Sequence, residues 1–175
     1  MLNKLFVKYP GIFGYSISHT TRQPRSAEVD GVHYHFTTRE EFKRMQLDEE
    51  FIETNEFNGN LYGTSIDSIR AVENANKICV LDLDYKGVMT FKEKGIPSQF
   101  VFIRPTSVKD LEGRIRLRGT ETEEAITAQL LVAHKIFDYA SKPNSFDATI
   151  INDDEDTAFK ALETFAEKTW RLDSI

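Results

Sequence analysis

An α/β fold built on a mainly parallel sheet is the class this sequence predicts, and three observations carry the prediction. The run KICVLD at 77–82 is continuously apolar across Ile78, Cys79, Val80 and Leu81, the pattern of a strand buried on both faces of a parallel sheet. From residue 85 onward, helical and strand-like segments alternate, as they do in βαβ units. Two long segments each carry one apolar stripe at helical spacing: Ile126, Leu130, Ala133, Phe137 and Ala140 in the first, Phe159, Leu162, Ala166 and Trp170 in the second. Both stripes read as core.

Taken in order, residues 1–9 read as a helix with Leu2, Leu5 and Phe6 on one side, closed by Pro10 and Gly11. A strand follows at 13–18, and another at 32–36 after a turn at Asp30-Gly31. Thr38 and Glu41 have the spacing of a capping box for a helix over 38–49, with Phe42 and Met45 as its apolar side. Residues 51–57 read as a strand, and Asn58-Gly59-Asn60 is a turn signal leading into Leu61-Tyr62-Gly63; these make a small mixed-β region apart from the core. Ser65 caps a helix reaching about Asn74. After 77–82 come helix 85–94, strand 99–103, helices 107–117 and 121–140, strand 148–151 and helix 154–170. No repeat, linker or low-complexity stretch divides the chain, so a single domain over 1–175 is expected. In this class ligands sit outside the carboxyl ends of the strands.

Within that frame a few residues have the chemistry of a nucleotide site. Arg22 and Arg25 flank Pro24 in a loop directly after a strand, where two guanidinium groups on a stiffened loop suit a bidentate grip on phosphate. An isolated R-x-x-R pair reads as two solvated surface arginines; Tyr34 and Tyr62, both beside turns and able to donate phenolic hydrogen bonds, give this pair its company. Glu53 and Asp84 are carboxylates suited to a guanine edge, which presents N1–H and a 2-amino group as adjacent donors, whereas adenine presents an acceptor at N1. Asp82 ends the apolar run, the placement of a metal-side acid in phosphoryl transfer. Arg114, Arg116 and Arg118 precede the charged segment GTETEE, which reads either as an exposed corner or as a lid that carries arginines over phosphates. His19, His33, His35 and His134 lack the spacing of metal ligands and read as structural or surface residues.

Composition narrows the partners. With 28 acidic against 22 basic residues, a net charge of -6 and a pI near 5.3, the chain is not built for nucleic acid or an anionic membrane, so any phosphate is held by a local pocket. Cys79 is the single cysteine; it cannot form an internal disulfide and reads as a buried, inert thiol of a reducing compartment. No segment approaches the ~18 apolar residues of a membrane span, and the first ten residues lack the pattern of a secretory signal, so a cytoplasmic protein is expected.

Five stretches, SISHTTRQPRSAEVDGVHYHF, EFIETNEFNGNLYGTS, CVLDLDYKGV, RGTETEE and IINDD, occur in the order and at the spacing of the guanylate kinase family, which the chain resembles over nearly its whole length. The resemblance implies that Arg22, Arg25, Tyr34 and Tyr62 bind the GMP phosphate and that Ser18, Glu53, Thr64 and Asp84 read the guanine. It places Asp82 as the acid near Mg²⁺, Arg114 and Arg118 as lid arginines on the ATP side, and Asn152 near the adenine. The implied reaction is ATP plus GMP to ADP plus GDP with Mg²⁺. The implied architecture is a P-loop-kinase-like parallel sheet flanked by helices, with a small mixed-β GMP-binding region over about 18–80 and a helical lid over about 112–130.

The sequence departs from the family pattern in three places. The family's opening strand and P-loop, G-x-x-x-x-G-K-[ST], precede the first helix, whereas this sequence starts at Met1 within the corresponding helix and holds no such pattern, so the sheet is expected without its first strand. Gln129 stands where the family has a third lid arginine, and Lys86 replaces a common glutamine. P-loop amides and lysine cradle the donor phosphates. The expectation is therefore an intact GMP site with a weakened ATP site and impaired catalysis; the alternative is a non-catalytic module that holds GMP or a phosphopeptide in the same pocket.

Overall fold

The computed structural model describes residues 1–57, 59–119 and 121–172. The chain forms two compact units, one of residues 6–97 and one of residues 1–5 together with those from Ser98 onward. Among the described residues no helix is long and apolar enough to cross a membrane. The predicted turn residue Asn58 and Thr120 of the charged segment lie outside the described residues.

The chain opens with α1 (Leu2–Lys8), in which Leu5 is buried. Residues 6–97 then build two sheets. The first is a parallel pair of β1 (Phe13–Tyr15) and β6 (Ile78–Val80), in register Phe13↔Ile78 to Tyr15↔Val80. The second is a mixed sheet made of β2 (His19–Thr20), β3 (His35–Phe36), β4 (Phe51–Phe57) and β5 (Asn60–Ser65), in the order β3-β2-β5-β4. Three helices accompany them: α2 (Arg39–Leu47), α3 (Ile66–Asn74) and α4 (Tyr85–Glu93).

Of the predicted strand over 13–18 only β1 forms; residues 16–18 leave strand geometry and lead into β2 of the other sheet. Ser16 donates its N–H to Val80 O at 3.0 Å, finishing the parallel ladder, and Ser18 O accepts from His35 N at 2.9 Å, starting the mixed one. A continuous strand would hold both in one plane, so the chain leaves strand geometry in between. The turn at Asp30-Gly31 does form, with Gly31 at φ +72 and its N–H on Tyr34 O at 2.8 Å. Its flanking strands pair parallel, His19↔His35 and Thr20↔Phe36, so they are not a hairpin; the long arginine loop carries the chain over before β3 begins.

The apolar run 77–82 is also less deeply placed than predicted. Ile78, Cys79 and Val80 are all half-buried, because β6 is covered by a single partner strand and by α3. Desolvation still pushes the Cys79 thiol up to about 11, so it stays protonated and unreactive although it is not fully buried. The approach of α3 depends on Gly14: a Cβ there would lie 2.6 Å from Cγ1 of Val72.

The second unit contains the parallel pair β7 (Val101–Arg104) and β8 (Ala148–Ile151), with α5 (Val108–Arg118), α6 (Glu123–Ala140) and α7 (Glu155–Trp170). Its core groups Ile150, Ala158 and Leu162, with Met1, Leu2 and Val101 packed against them. Of the two predicted stripes, Ile126 and Ala133 on α6 and Leu162 and Ala166 on α7 are buried, while the others are half-buried. Phe137 rests edge-on to Phe102 at 6.0 Å, and Phe102 stacks on Phe146 at 4.9 Å, an aromatic contact that extends this core. Among the described residues the purely parallel sheets are two-stranded, one in each unit, and β2–β3 adds a parallel pairing inside the mixed sheet, within an α/β architecture.

Helix starts follow the caps. Thr38 Oγ1 accepts from Glu41 N at 3.1 Å, but the Glu41 side chain goes to Arg44, so only half of the capping box is made. Ser65 Oγ accepts from Ser68 N at 3.1 Å and Ser65 is buried. Ser65→Ala is expected to lower stability by about 1 kcal/mol through loss of this cap, read as a lower midpoint in urea denaturation; an unchanged midpoint would show that α3 starts without it.

Candidate functional site

The arginine loop is tied down at its root. Thr20, fully buried, donates from Oγ1 to Leu61 O at 3.0 Å and accepts from Arg22 N at 3.1 Å, while Thr21 Oγ1 accepts from Leu61 N at 2.9 Å. These bonds fix where Arg22 leaves β2. Its guanidinium lies over the Tyr34 ring at 5.4 Å and the Phe36 ring at 5.9 Å, and within hydrogen-bonding reach of Tyr62. Tyr34 and Tyr62 meet edge to face at 6.1 Å. Arg22, Tyr34 and Tyr62 therefore converge, as the sequence predicts for a phosphate grip.

Arg25 does not join them in the same way. Arg22 makes a bidentate pair with Glu28, Nη1 to Oε2 at 2.9 Å and Nη2 to Oε1 at 2.8 Å, with both side chains largely shielded. Arg25 adds its backbone N–H to Glu28 Oε2 at 2.7 Å, while the residue itself is exposed. Glu28 closes the loop as a built-in anion. The Arg22 bonds, then the Arg25 amide, hold its carboxyl down at about 2. A depressed carboxyl stabilises the fold above its ordinary value of 4.5 and loses that contribution as pH falls from there through about 2. Thermal melts of the parent chain between pH 6 and 2 are expected to show this loss, and Glu28→Gln to flatten it; identical profiles would remove Glu28 from the acid response.

A second cluster lies on the β4–β5 ladder, where Glu53 pairs with Thr64 and Asn55 with Tyr62. Thr64, buried, donates from Oγ1 to Glu53 Oε1 at 2.6 Å. Desolvation raises the Glu53 carboxyl above the ordinary range, opposed by the Thr64 bond and reinforced by the nearby Asp84 charge. Asp84 serves two neighbours: Oδ1 accepts from Gly87 N at 2.8 Å and caps α4, and Oδ2 accepts from Asn55 Nδ2. Glu53, Thr64 and Asp84 are thus close neighbours. Ser18, half-buried, contributes its backbone carbonyl to β3, and no side-chain bond ties its hydroxyl to them among the described residues.

Asp82 follows the carboxyl end of β6. Desolvation raises its carboxyl, and its charge acts on Tyr15, pushed up to about 12 mainly by burial, and on Tyr34.

In the other unit, Arg114 and Arg118 stand four residues apart on α5, hence on one face, and both are exposed. Arg114 pairs with Asp110 at 2.9 Å and Arg118 reaches Glu121 at 3.6 Å. Arg116 points elsewhere, bonding Glu112 at 2.9 Å and Glu123 at 2.6 Å, and so connects α5 to α6. Surface pairs of this kind contribute about 0–1 kcal/mol each, so Arg114 and Arg118 can leave theirs cheaply. Asn152 follows β8 and donates its N–H to Arg104 O at 2.7 Å.

The guanylate kinase family model matches residues 1–169. The chain is 46% identical to the guanylate kinase of Schizosaccharomyces pombe over 163 residues, covering 93% of this chain and 81% of the relative. It is 43% identical to the Homo sapiens guanylate kinase, covering 93% and 83%. The chain belongs to the guanylate kinase family. Its fold agrees: the crystal structure of guanylate kinase from Anaplasma phagocytophilum superposes with a TM-score of 0.65 at 30% identity, over 95% of this chain and 79% of that one.

Two further residues, Glu28 and Asn55, tie these side chains in place in this guanylate kinase chain. Glu28 was signalled by its spacing, R-x-x-R-x-x-E, and Asn55 by its place two residues after Glu53 on one strand face. The Mg²⁺ implied for guanylate kinases can be tested on Asp82. Among the described residues no group of three or more metal-binding side chains exists, and the Asp82 carboxylate has no hydrogen bond or ion pair. An exposed carboxylate without an internal partner fits Mg²⁺, which is bound by one or two carboxylates with substrate phosphates and water.

Proposed function

We propose that this chain holds GMP as the phosphoryl acceptor of ATP, with Arg22, Arg25, Tyr34 and Tyr62 on the phosphate and Ser18, Glu53, Thr64 and Asp84 on the guanine. The observation that carries this reading is the pairing of two chemically distinct clusters on one ladder: Tyr62, beside Arg22, and Thr64, bonded to Glu53, are alternate residues of β5. One cluster is cationic and phenolic, suited to phosphate; the other is carboxylate, suited to the donor edge of guanine. The Thr64 hydroxyl occupies one lone pair of Glu53, whose remaining ones would accept N1–H, while Asp84 would accept from the 2-amino group. Adenine would set its N1 lone pair against the same charge.

On the donor side, Arg114 and Arg118 would neutralise phosphate charge, Asn152 would lie near the adenine, and Asp82 would hold Mg²⁺. Mg²⁺ held by Asp82 would supply charge neutralisation to the transferring phosphate. The 175 residues contain no P-loop pattern, so we expect ATP to bind weakly and ATP-dependent GMP phosphorylation by this chain to fall far below the 1–100 s⁻¹ order of kinases.

Calorimetry on the purified chain tests the reading. GMP is expected to bind more tightly than AMP, and a phosphoserine peptide not to compete with it. Glu53→Gln is expected to weaken GMP about tenfold, the worth of a hydrogen bond to a charged group, without weakening AMP. Equal GMP and AMP affinities in both proteins would overturn the base assignment, and displacement of GMP by the phosphopeptide would point to the binding-module reading. Turnover of ordinary kinase size would overturn the expectation for ATP.

A further inference from the structure

We propose that Asn55 is a positioning residue of the guanine pocket: it holds Asp84 so that the pair reads the exocyclic 2-amino group, which sets a preference for GMP over IMP. The inference rests on the GMP reading and adds a residue and a selectivity to it.

The placement comes from the ladder. Glu53 and Asn55 are two apart on β4 and project from one face, opposite Thr64 and Tyr62 on β5. Three corners of that square already belong to the proposed GMP site. Asn55 is the fourth corner. It is half-buried, and its Nδ2 donates to Oδ2 of Asp84. The carboxylate can only accept, so the amide must turn its NH₂ toward Asp84, which leaves Oδ1 facing away with no partner among the described residues.

Electrostatics explain why a neutral amide is needed there. Glu53 and Asp84 are close enough for each charge to oppose the other, and a cation between them would occupy the lone pairs that a base must use. Each carboxylate instead has one neutral donor from the same ladder, Thr64 for Glu53 and Asn55 for Asp84. Lys94, which acts on Glu53 from a distance, spends its Nζ on Ile52 O at 2.6 Å. With Oδ1 of Asp84 committed to Gly87 N–H, Asn55 fixes the remaining rotational freedom of the carboxylate. A purine 2-amino group has two hydrogens, and Asp84 Oδ2 together with Asn55 Oδ1 offers two acceptors. IMP lacks that group and presents only N1–H.

Titration calorimetry with GMP and IMP, on the parent chain and on Asn55→Ala, decides the matter. The parent is expected to favour GMP over IMP by about tenfold, and Asn55→Ala to weaken GMP by about that factor while IMP stays within about twofold. If the variant weakens GMP and IMP equally, Asn55 merely braces α4 against β4 and the proposal fails while GMP binding stands. A parent chain that binds the two equally overturns it without any variant. A parent that binds neither overturns the GMP reading, and this inference with it.

Discussion

Arg22→Ala is expected to weaken GMP binding by about a hundredfold, the loss of two charge-assisted hydrogen bonds at the lower end of their range. The size follows from what Arg22 touches. Its guanidinium lies over Tyr34 and Phe36, within reach of Tyr62, and bidentate to Glu28, so its position is fixed from several sides, whereas Arg25 is exposed and adds only its backbone N–H to Glu28. The substitution also leaves the shielded Glu28 carboxylate without its cation, and the carboxyl returns toward its ordinary range. Arg22→Lys keeps the charge but not the planar fork, and is expected to recover about half of the lost binding free energy. Calorimetry with GMP, and with inorganic phosphate as competitor, reads both variants. A GMP affinity for Arg22→Ala within twofold of the parent would remove Arg22 from the phosphate grip.

The same residues show what the sequence can and cannot reveal. Helix starts were legible because a cap is local: Thr38, Ser65, Ser107 and Asp154 each accept from the N–H three residues on, a relation contained in the sequence itself. Strand pairing is not local. The Asp30-Gly31 turn was readable, but the parallel union of His19 with His35 depends on where the arginine loop delivers the chain. Burial of 77–82 failed for a related reason, since an apolar run does not say how many strands will flank it. Of the residues proposed to touch GMP, Arg22, Arg25, Tyr34, Tyr62, Glu53 and Asp84 could be named from their chemistry, whereas Ser18 and Thr64 came only from the family resemblance. Glu28 and Asn55 act on those residues; their spacing is present in the sequence, but which groups they hold becomes evident only when the fold brings the partners together. Asp84 was read for guanine alone, whereas it also starts α4, and a substitution there disturbs both.

The mixed sheet that carries the site is held by a small core, and its weakest replacement is Phe42. Phe42 is fully buried, stacks on Phe51 with ring centroids 4.5 Å apart, and clusters with Met45 and Leu61. The fit is tight at Gly63, where a Cβ would lie 2.9 Å from Phe51 and 3.0 Å from Phe42, so both rings are pressed against the β5 backbone. Removing one ring leaves a cavity that its stacked partner cannot fill without leaving Gly63. Phe42→Ala is therefore expected to cost about 4 kcal/mol. On a chain of this size that lowers the melting temperature by about 10 °C and weakens amide protection in β4 and β5 first. Phe42 belongs to none of the proposed GMP contacts, so the folded fraction should bind GMP almost as the parent does. Saturating GMP, at about a hundred times its dissociation constant, should then restore about 2.7 kcal/mol. A variant that loses stability yet regains it with GMP separates the core that supports the hairpin from the face that reads the nucleotide. A variant whose GMP affinity collapses with its stability would show that the two are one structure, and that ring packing behind Gly63 sets the position of Tyr62 and Thr64.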